Sequence, residues 1–360
     1  MALEFAEKTR RIPAYPVASG YSLGPDVAML ASNEAPFGPL EPVVEAARHA
    51  LLGSNRYPDP SYSALRRALA DRYDVPWERV ALGEGSCDLL LAAGDALLEP
   101  GAELIYAWPS FSVYPHLAAA SGARAIEVPL TGEAVHDLDA IAAEITVATR
   151  LVLVCNPNNP TGTALGLEQI EAFLARVPDH VCVMLDEAYV EFSLTVGDPL
   201  ASLPLLARHP NLVILRTFSK VYGLAGLRVG YGLCGSESFR VAVDQVRQPF
   251  YLTSAAQAAA VEALKYQDEV ERRVVAVVAA RTTVTEALRE RGYWVAESDA
   301  NFLWVKLAED GEDGPVVDAL RERGVVVRAG TALGGPGFAR VTLGTDAENA
   351  RFLAALDEAR

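Results

Sequence analysis

Three short runs in this chain are apolar at nearly every position rather than at alternate ones: Arg150–Cys155, Val181–Leu185 and Leu212–Leu215. A strand with one wet face alternates apolar and polar residues. A strand apolar throughout must be covered on both faces, which means a largely parallel sheet between helices. The order of elements agrees. From about residue 60 to 250, strand candidates at Glu103–Tyr106, Ala125–Val128, Arg150–Cys155, Val181–Leu185, Leu212–Leu215 and Arg228–Gly232 alternate with helical patterns. The helices include Ser63–Tyr73, Gly166–Arg176 and a segment opening after Ser86. Such alternation predicts an α/β fold.

Past Phe250 the pattern changes. A long Ala/Val/Glu/Arg-rich helical stretch is expected from Ser254 to about Arg291. It is followed by a strand at Asn301–Leu307, a helix at Gly314–Arg323, and strands at Val325–Arg328 and Phe338–Leu343. The expected division is therefore threefold. Residues 1–42 form a proline-rich arm that packs on the small domain or a partner subunit, 43–250 a large domain, and 251–360 an interdomain helix with a smaller α+β domain.

Composition narrows the partners. A formal net charge of −16 argues against nucleic acid or an anionic membrane surface, both of which require a basic face. No apolar run reaches spanning length; Leu89–Ile105 is interrupted by Asp95, Glu99 and Pro100. The N-terminus lacks the apolar stretch of a signal peptide, so a cytoplasmic location is expected. The cysteines (Cys87, Cys155, Cys182, Cys234) are scattered and the histidines show no ligand spacing, so neither a disulfide framework nor a metal site is expected.

The chemistry concentrates where apolar runs end. After Leu212–Leu215 comes Arg-Thr-Phe-Ser-Lys220, with hydroxyls at Thr217 and Ser219 and an arginine at 228. A lysine just past a buried strand is desolvated, which lowers its pKa and frees the amine to form a Schiff base. The arginine and hydroxyls are what a phosphate needs. Imine lysine and phosphate anchor together point to pyridoxal phosphate (PLP). After Val181–Leu185 stands Asp186, with Tyr189 three residues on. A buried aspartate at a strand's carboxyl end needs a cation, and a protonated pyridine nitrogen is one. After Arg150–Cys155 comes Asn-Pro-Asn-Asn159-Pro-Thr-Gly, a turn that sets asparagines at the edge where α/β sheets bind ligands. Gly83-Glu-Gly-Ser86-Cys87 opens a helix whose N-terminus suits a single phosphate; with leucine at 89 the dinucleotide glycine fingerprint fails. Phe111 and Tyr114 follow another strand, as core or as ligand platform. Arg328 and Arg340, on the later strands, could clamp a carboxylate and a phosphate.

Taken in order, Asn-Asn-Pro-Thr-Gly, Asp-Glu-Ala-Tyr and Thr-Phe-Ser-Lys-Val-Tyr-Gly-Leu-Ala-Gly-Leu-Arg resemble the fold-type I PLP aminotransferases. Within them the chain is most similar to histidinol-phosphate aminotransferases and the aromatic-amino-acid (phenylalanine) enzymes. The likeness runs from Leu30-Ala-Ser-Asn33-Glu-Ala-Pro-Phe-Gly-Pro and Asn55-Arg-Tyr57-Pro-Asp-Pro to Ala339-Arg340-Val-Thr-Leu-Gly. The resemblance implies that Lys220 carries the cofactor and shuttles the proton. Asp186 would pair with the ring nitrogen, Tyr189 and Asn159 with the phenolic oxygen, and Phe111 would stack on the ring. Ser86, Cys87, Thr217, Ser219 and Arg228 would hold the phosphate. Tyr57 would reach the cofactor of a neighbouring subunit, implying a homodimer with shared sites. Arg340, helped by Asn33, would bind the substrate α-carboxylate, and Arg328 a substrate phosphate or second carboxylate. One departure stands out: the family's Gly-Ser-Asp-Glu is Gly85-Ser86-Cys87-Asp88 here.

The expected activity is ping-pong transamination between histidinol phosphate and 2-oxoglutarate, in histidine biosynthesis. The alternative is aromatic amino acids, and a further one a PLP lyase or decarboxylase on the same fold.

Overall fold

The computed structural model describes residues 3–13, 24 and 26–359. Eleven strands are present among them: β1 Ala28–Leu30, β2 Val80–Gly83, β3 Glu103–Trp108, β4 Arg124–Pro129, β5 Thr149–Cys155, β6 Cys182–Asp186, β7 Leu212–Thr217, β8 Gly230–Cys234, β9 Phe302–Lys306, β10 Val325–Ala329 and β11 Phe338–Thr342. They form two sheets. The larger has the order β2-β8-β7-β6-β5-β3-β4, and the smaller β1-β10-β11-β9.

In the large sheet every pairing from β7 to β4 is parallel; β8 alone runs against its neighbours β7 and β2. Its central strands explain the apolar runs. Val152, Val154, Val183, Leu185, Leu212 and Ile214 enter one core, while Leu151, Leu153, Cys155, Met184, Val213 and Leu215 enter another. Successive side chains point to opposite faces, so a strand covered twice must be apolar at both parities. Each large aliphatic side chain so buried contributes about 1.5–3 kcal/mol of transfer free energy. Edge strand β4, by contrast, is exposed at Arg124, Ala125, Glu127 and Pro129.

Two expectations shift. The long helix after Ser254 is two helices, Ser254–Ala263 and Gln267–Glu290. The ladder stops because the Gln267 side chain itself donates to Leu264 O (2.8 Å), and Tyr266 leaves helical geometry at φ −108°, ψ 62°. The strand expected from Arg228 begins only at Gly230, because Arg228 takes a left-handed conformation (φ 55°).

The small sheet is mixed. β1 lies parallel to β10, and β10, β11 and β9 are antiparallel in series. Within the expected N-terminal arm, Ala28–Leu30 therefore joins the small sheet. Farther up, Arg11 Nε donates to Ala119 O (3.3 Å) on the helix Tyr114–Ser121. Residues 14–23 and 25 of that arm fall outside the described residues. No helix among the described residues is long and apolar enough to cross a membrane.

Candidate active site

A cavity of about 410 Å³ opens where the carboxyl edge of the large sheet faces β10 and β11. Strands β5, β6 and β7 end side by side there. Cys155 registers with Asp186 and Asp186 with Leu215, so the residues just past each strand converge on one edge. Of the expected site residues, Asn33, Ser86, Cys87, Phe111, Asn159, Asp186, Tyr189, Thr217, Ser219, Lys220, Arg228, Arg328 and Arg340 all line this cavity. Tyr57 does not. It is 81% exposed and stacks on Phe250 with ring centroids 4.7 Å apart.

Asp186 is buried. Its carboxylate accepts from the Tyr114 hydroxyl (3.0 Å) and the Ala188 N–H (3.2 Å), with no ion-pair partner among the described residues. Burial pushes its pKa up to about 6, against the pull of those two donors. A fixed cation placed against it would remove that penalty. Lys220 shows the complementary effect. Burial, with the charge of Arg340 behind it, lowers its pKa to about 7, leaving a large fraction of neutral amine near physiological pH. Its Nζ donates to Asn33 O (3.1 Å) and Ser32 O (3.3 Å), and lies 5.5 Å from the centre of the Tyr189 ring.

At one end of the cavity Gly85 (φ 81°) turns the chain into the helix Ser86–Leu97, whose N-terminus has no side-chain cap among the described residues and suits an anion. Arg228 reaches over them, donating to Glu84 O (3.5 Å), Ala225 O (2.8 Å) and Ser219 Oγ (3.5 Å). The packing leaves no room for larger residues. A Cβ at Gly85 would come within 2.5 Å of Arg228 Nη2, and one at Gly230 would collide with Ser86 N. Cys87 sits on this turn with its thiol pushed up to about 11 by burial, and is therefore neutral. The Thr217 hydroxyl accepts from Ser219 N (3.0 Å), which shapes the loop leading to Lys220.

Across the cavity, Arg328 and Arg340 are cross-strand partners on β10 and β11, both buried. Arg340 Nη1 donates to Asn159 Oδ1 (2.6 Å) and Nη2 to Ala31 O (2.6 Å). The Asn33 side chain donates to the Tyr189 hydroxyl (3.0 Å), and burial raises that phenol's pKa. The Asn156–Gly162 turn is fastened from behind: Asn158 Oδ1 accepts from Ser110 Oγ (2.7 Å), and Asn158 Nδ2 donates to Thr161 Oγ1 (2.9 Å).

Sequence reasoning did not select Tyr114 as a site residue. Its place three residues past Phe111 was visible, but an aromatic there reads equally well as core; the ring does pack edge-on to Phe111 (5.7 Å, 86°). Glu34, next to Asn33, and Ser112 and Leu333 also line the cavity, and sequence reasoning gave none of them a role.

A carboxylate short of a cation, a neutral-leaning amine and a helix N-terminus under an arginine are the features a pyridoxal phosphate molecule would satisfy at its ring nitrogen, aldehyde and phosphate. The residues fit that cofactor, and the class they define is the PLP-dependent enzymes of fold type I. A sequence profile for aminotransferase class I and II matches residues 25–356, and the chain belongs to that family. An aromatic amino acid aminotransferase of Thermobifida fusca is 47% identical over 335 residues, 92% of this chain and 90% of that one. Histidinol-phosphate aminotransferase 2 of Ralstonia nicotianae is 43% identical over 334 residues, 92% of this chain and 88% of that protein. Among solved structures, histidinol-phosphate aminotransferase of Sinorhizobium meliloti in complex with pyridoxal-5'-phosphate superposes with a TM-score of 0.85 at 30% identity, covering 92% of this chain and 90% of that chain. PLP is the cofactor of this aminotransferase.

Proposed function

We propose that this aminotransferase exchanges the amino group of an aromatic L-amino acid with 2-oxoglutarate. The observation that carries the reading is the cavity's composition: two buried arginines share it with the apolar side chains of Ala31, Phe111 and Leu333. Such a pocket accepts an α-carboxylate together with either an aromatic ring or a second acid group. The aromatic amino acid aminotransferases at 41% to 47% identity support it. The second reading, histidinol phosphate, is favoured by Arg328, which could meet a phosphate ester. Glutamate's side-chain carboxylate asks for the same cation in the return half-reaction, so Arg328 does not by itself demand a phosphorylated substrate.

The roles proposed for individual residues are supported by their positions around the cavity. Arg340 binds the α-carboxylate through its planar fork, and Asn33 braces that end of the cavity. Phe111 would pack against the ring of the cofactor; Ser86, Cys87, Thr217, Ser219 and Arg228 would hold its phosphate. Asp186 would keep a proton on the ring nitrogen, while Tyr189 and Asn159 would serve the phenolic oxygen. When bound, PLP supplies a conjugated cation that takes up the electron pair left as the substrate Cα–H bond breaks. Lys220, with its lowered pKa, would serve as the base that carries that proton. Tyr57, exposed and outside this cavity, supports a homodimer in which it serves the other copy's site.

Single-turnover absorbance with L-phenylalanine, L-histidinol phosphate and L-glutamate tests the reading. Conversion of the cofactor band by phenylalanine and glutamate, with histidinol phosphate at least about tenfold poorer in kcat/KM, is expected. A histidinol phosphate preference would replace it by the second reading.

A further inference from the structure

The segment Ala31–Asn33 follows β1, yet groups from both sheets grip it. Arg340 takes Ala31 O (2.6 Å), and Lys220 takes Ser32 O (3.3 Å) and Asn33 O (3.1 Å). Asn33 holds a left-handed backbone at φ 54° and is 1% exposed. Asparagine tolerates that conformation better than most L-residues, and its surroundings hold it there. Thr342 makes two of the contacts. Asn33 N donates to Thr342 Oγ1 (2.9 Å), and the same hydroxyl donates to Asn33 Oδ1 (3.2 Å). Asn301 Nδ2 completes the grip on Asn33 O (3.2 Å). Thr342 stands two residues beyond Arg340 on β11, hence on the same face, and is buried. No other hydroxyl is hydrogen-bonded to both the backbone N–H and the side-chain oxygen of Asn33 among the described residues.

We propose that Thr342 is a positioning residue for Lys220: its hydroxyl locks Asn33 in the left-handed conformation, which aims the Ser32 and Asn33 carbonyls at the lysine amine and the Asn33 amide at Tyr189. The proposal rests on Lys220 being the lysine that carries the cofactor. Charged groups face that amine from several elements: Arg340 on β11, Arg228 before β8, Asp186 at the end of β6, and Glu34 beside Asn33. Against this background the carbonyls favour the protonated amine. Freed from Thr342, they would turn away, and Lys220 would lose its proton at lower pH.

Thr342→Ala and Thr342→Ser both remove the methyl group, and only the second keeps the hydroxyl. The full-length chain is freed of cofactor, and the rate of PLP uptake is followed by absorbance across pH. This rate tracks the neutral fraction of Lys220. With Thr342→Ala the midpoint is expected to fall by about half a unit or more, the scale of a weakened hydrogen bond to a charge. Thr342→Ser should match the unsubstituted chain. Thr342→Val, isosteric and without a hydroxyl, serves in place of the alanine variant if that one does not fold. Unmoved midpoints in the hydroxyl-free variant would overturn the proposal, as would equal shifts in the serine and alanine variants. Uptake that persists with the same pH profile in Lys220→Ala would overturn the assignment of the lysine, and the proposal with it.

Discussion

The two sheets deliver charge to one cavity in different ways. The large sheet supplies Asp186 and Lys220 at or just past strand ends, and burial draws the pKa of each toward neutrality, to about 6 and about 7. The small sheet supplies Arg328 and Arg340 from within paired strands, each with a planar guanidinium fork. Proton exchange calls for groups whose charge the surroundings can tune; holding a carboxylate calls for charge that does not yield. Apart from Arg228, which reaches over the helix N-terminus from the large-sheet side, the cavity keeps the two kinds on opposite sheets.

The sharpest way to break this contrast is Lys220→Ala. It should lower turnover by about 10³-fold or more, since under the proposed roles the proton carrier and the attachment point go together. A single-turnover assay that still shows conversion would place the tunable base elsewhere. Next in size, Asp186→Asn keeps the shape and removes the charge. A loss of about 10²–10³ in kcat is expected with substrate KM changed far less, read from steady-state kinetics. On the other sheet, Arg340→Lys retains charge but not the fork. It should cost about 10- to 100-fold in kcat/KM for glutamate, and equal kinetics would show that planar geometry is not what this side contributes.

The contrast also has a pH signature. Between about pH 7 and the ordinary lysine range near 10.5, the unfolded chain holds the Lys220 proton and the folded, cofactor-free chain does not. The unfolded state then binds more protons, so stability rises with pH across that window. Lys220→Met should flatten this part of a denaturant-midpoint profile. Asp186 works in the other sense. Its folded form holds a proton between the ordinary 3.8 and about 6, so its contribution falls as pH rises through that range. The smallest effect is expected at Cys87. Its thiol is neutral and the turn offers backbone N–H groups, so Cys87→Ser should leave PLP affinity within about twofold, checked by cofactor titration.

The large sheet was legible because its code is local. The runs 150–155, 181–185 and 212–215 lie within a residue or two of β5, β6 and β7, and the chemistry sits immediately past them. The small-sheet side was less so. Arg328 and Arg340 were visible as arginines on strands, but their facing positions come from antiparallel register, which no single strand encodes. Asn33 and Thr342 are 309 residues apart in sequence, and neither residue type announces a clamp. The strand expected at Arg228–Gly232 starts two residues late for an informative reason: the left-handed turn at Arg228 postpones β8 and leaves the guanidinium over the helix N-terminus.

The antiparallel β7–β8 pair has one more consequence. Lys220 and Arg228 both lie on the single connection between these strands, so under the proposed roles the two ends of the cofactor would be moored to one hairpin. The exchangeable molecule would be gripped from elsewhere, by arginines on the other sheet. Whatever the sheets do relative to each other, the resident would stay aligned while the visitor is admitted or released. A new diet could therefore be written into residues 328–340 without disturbing the mooring.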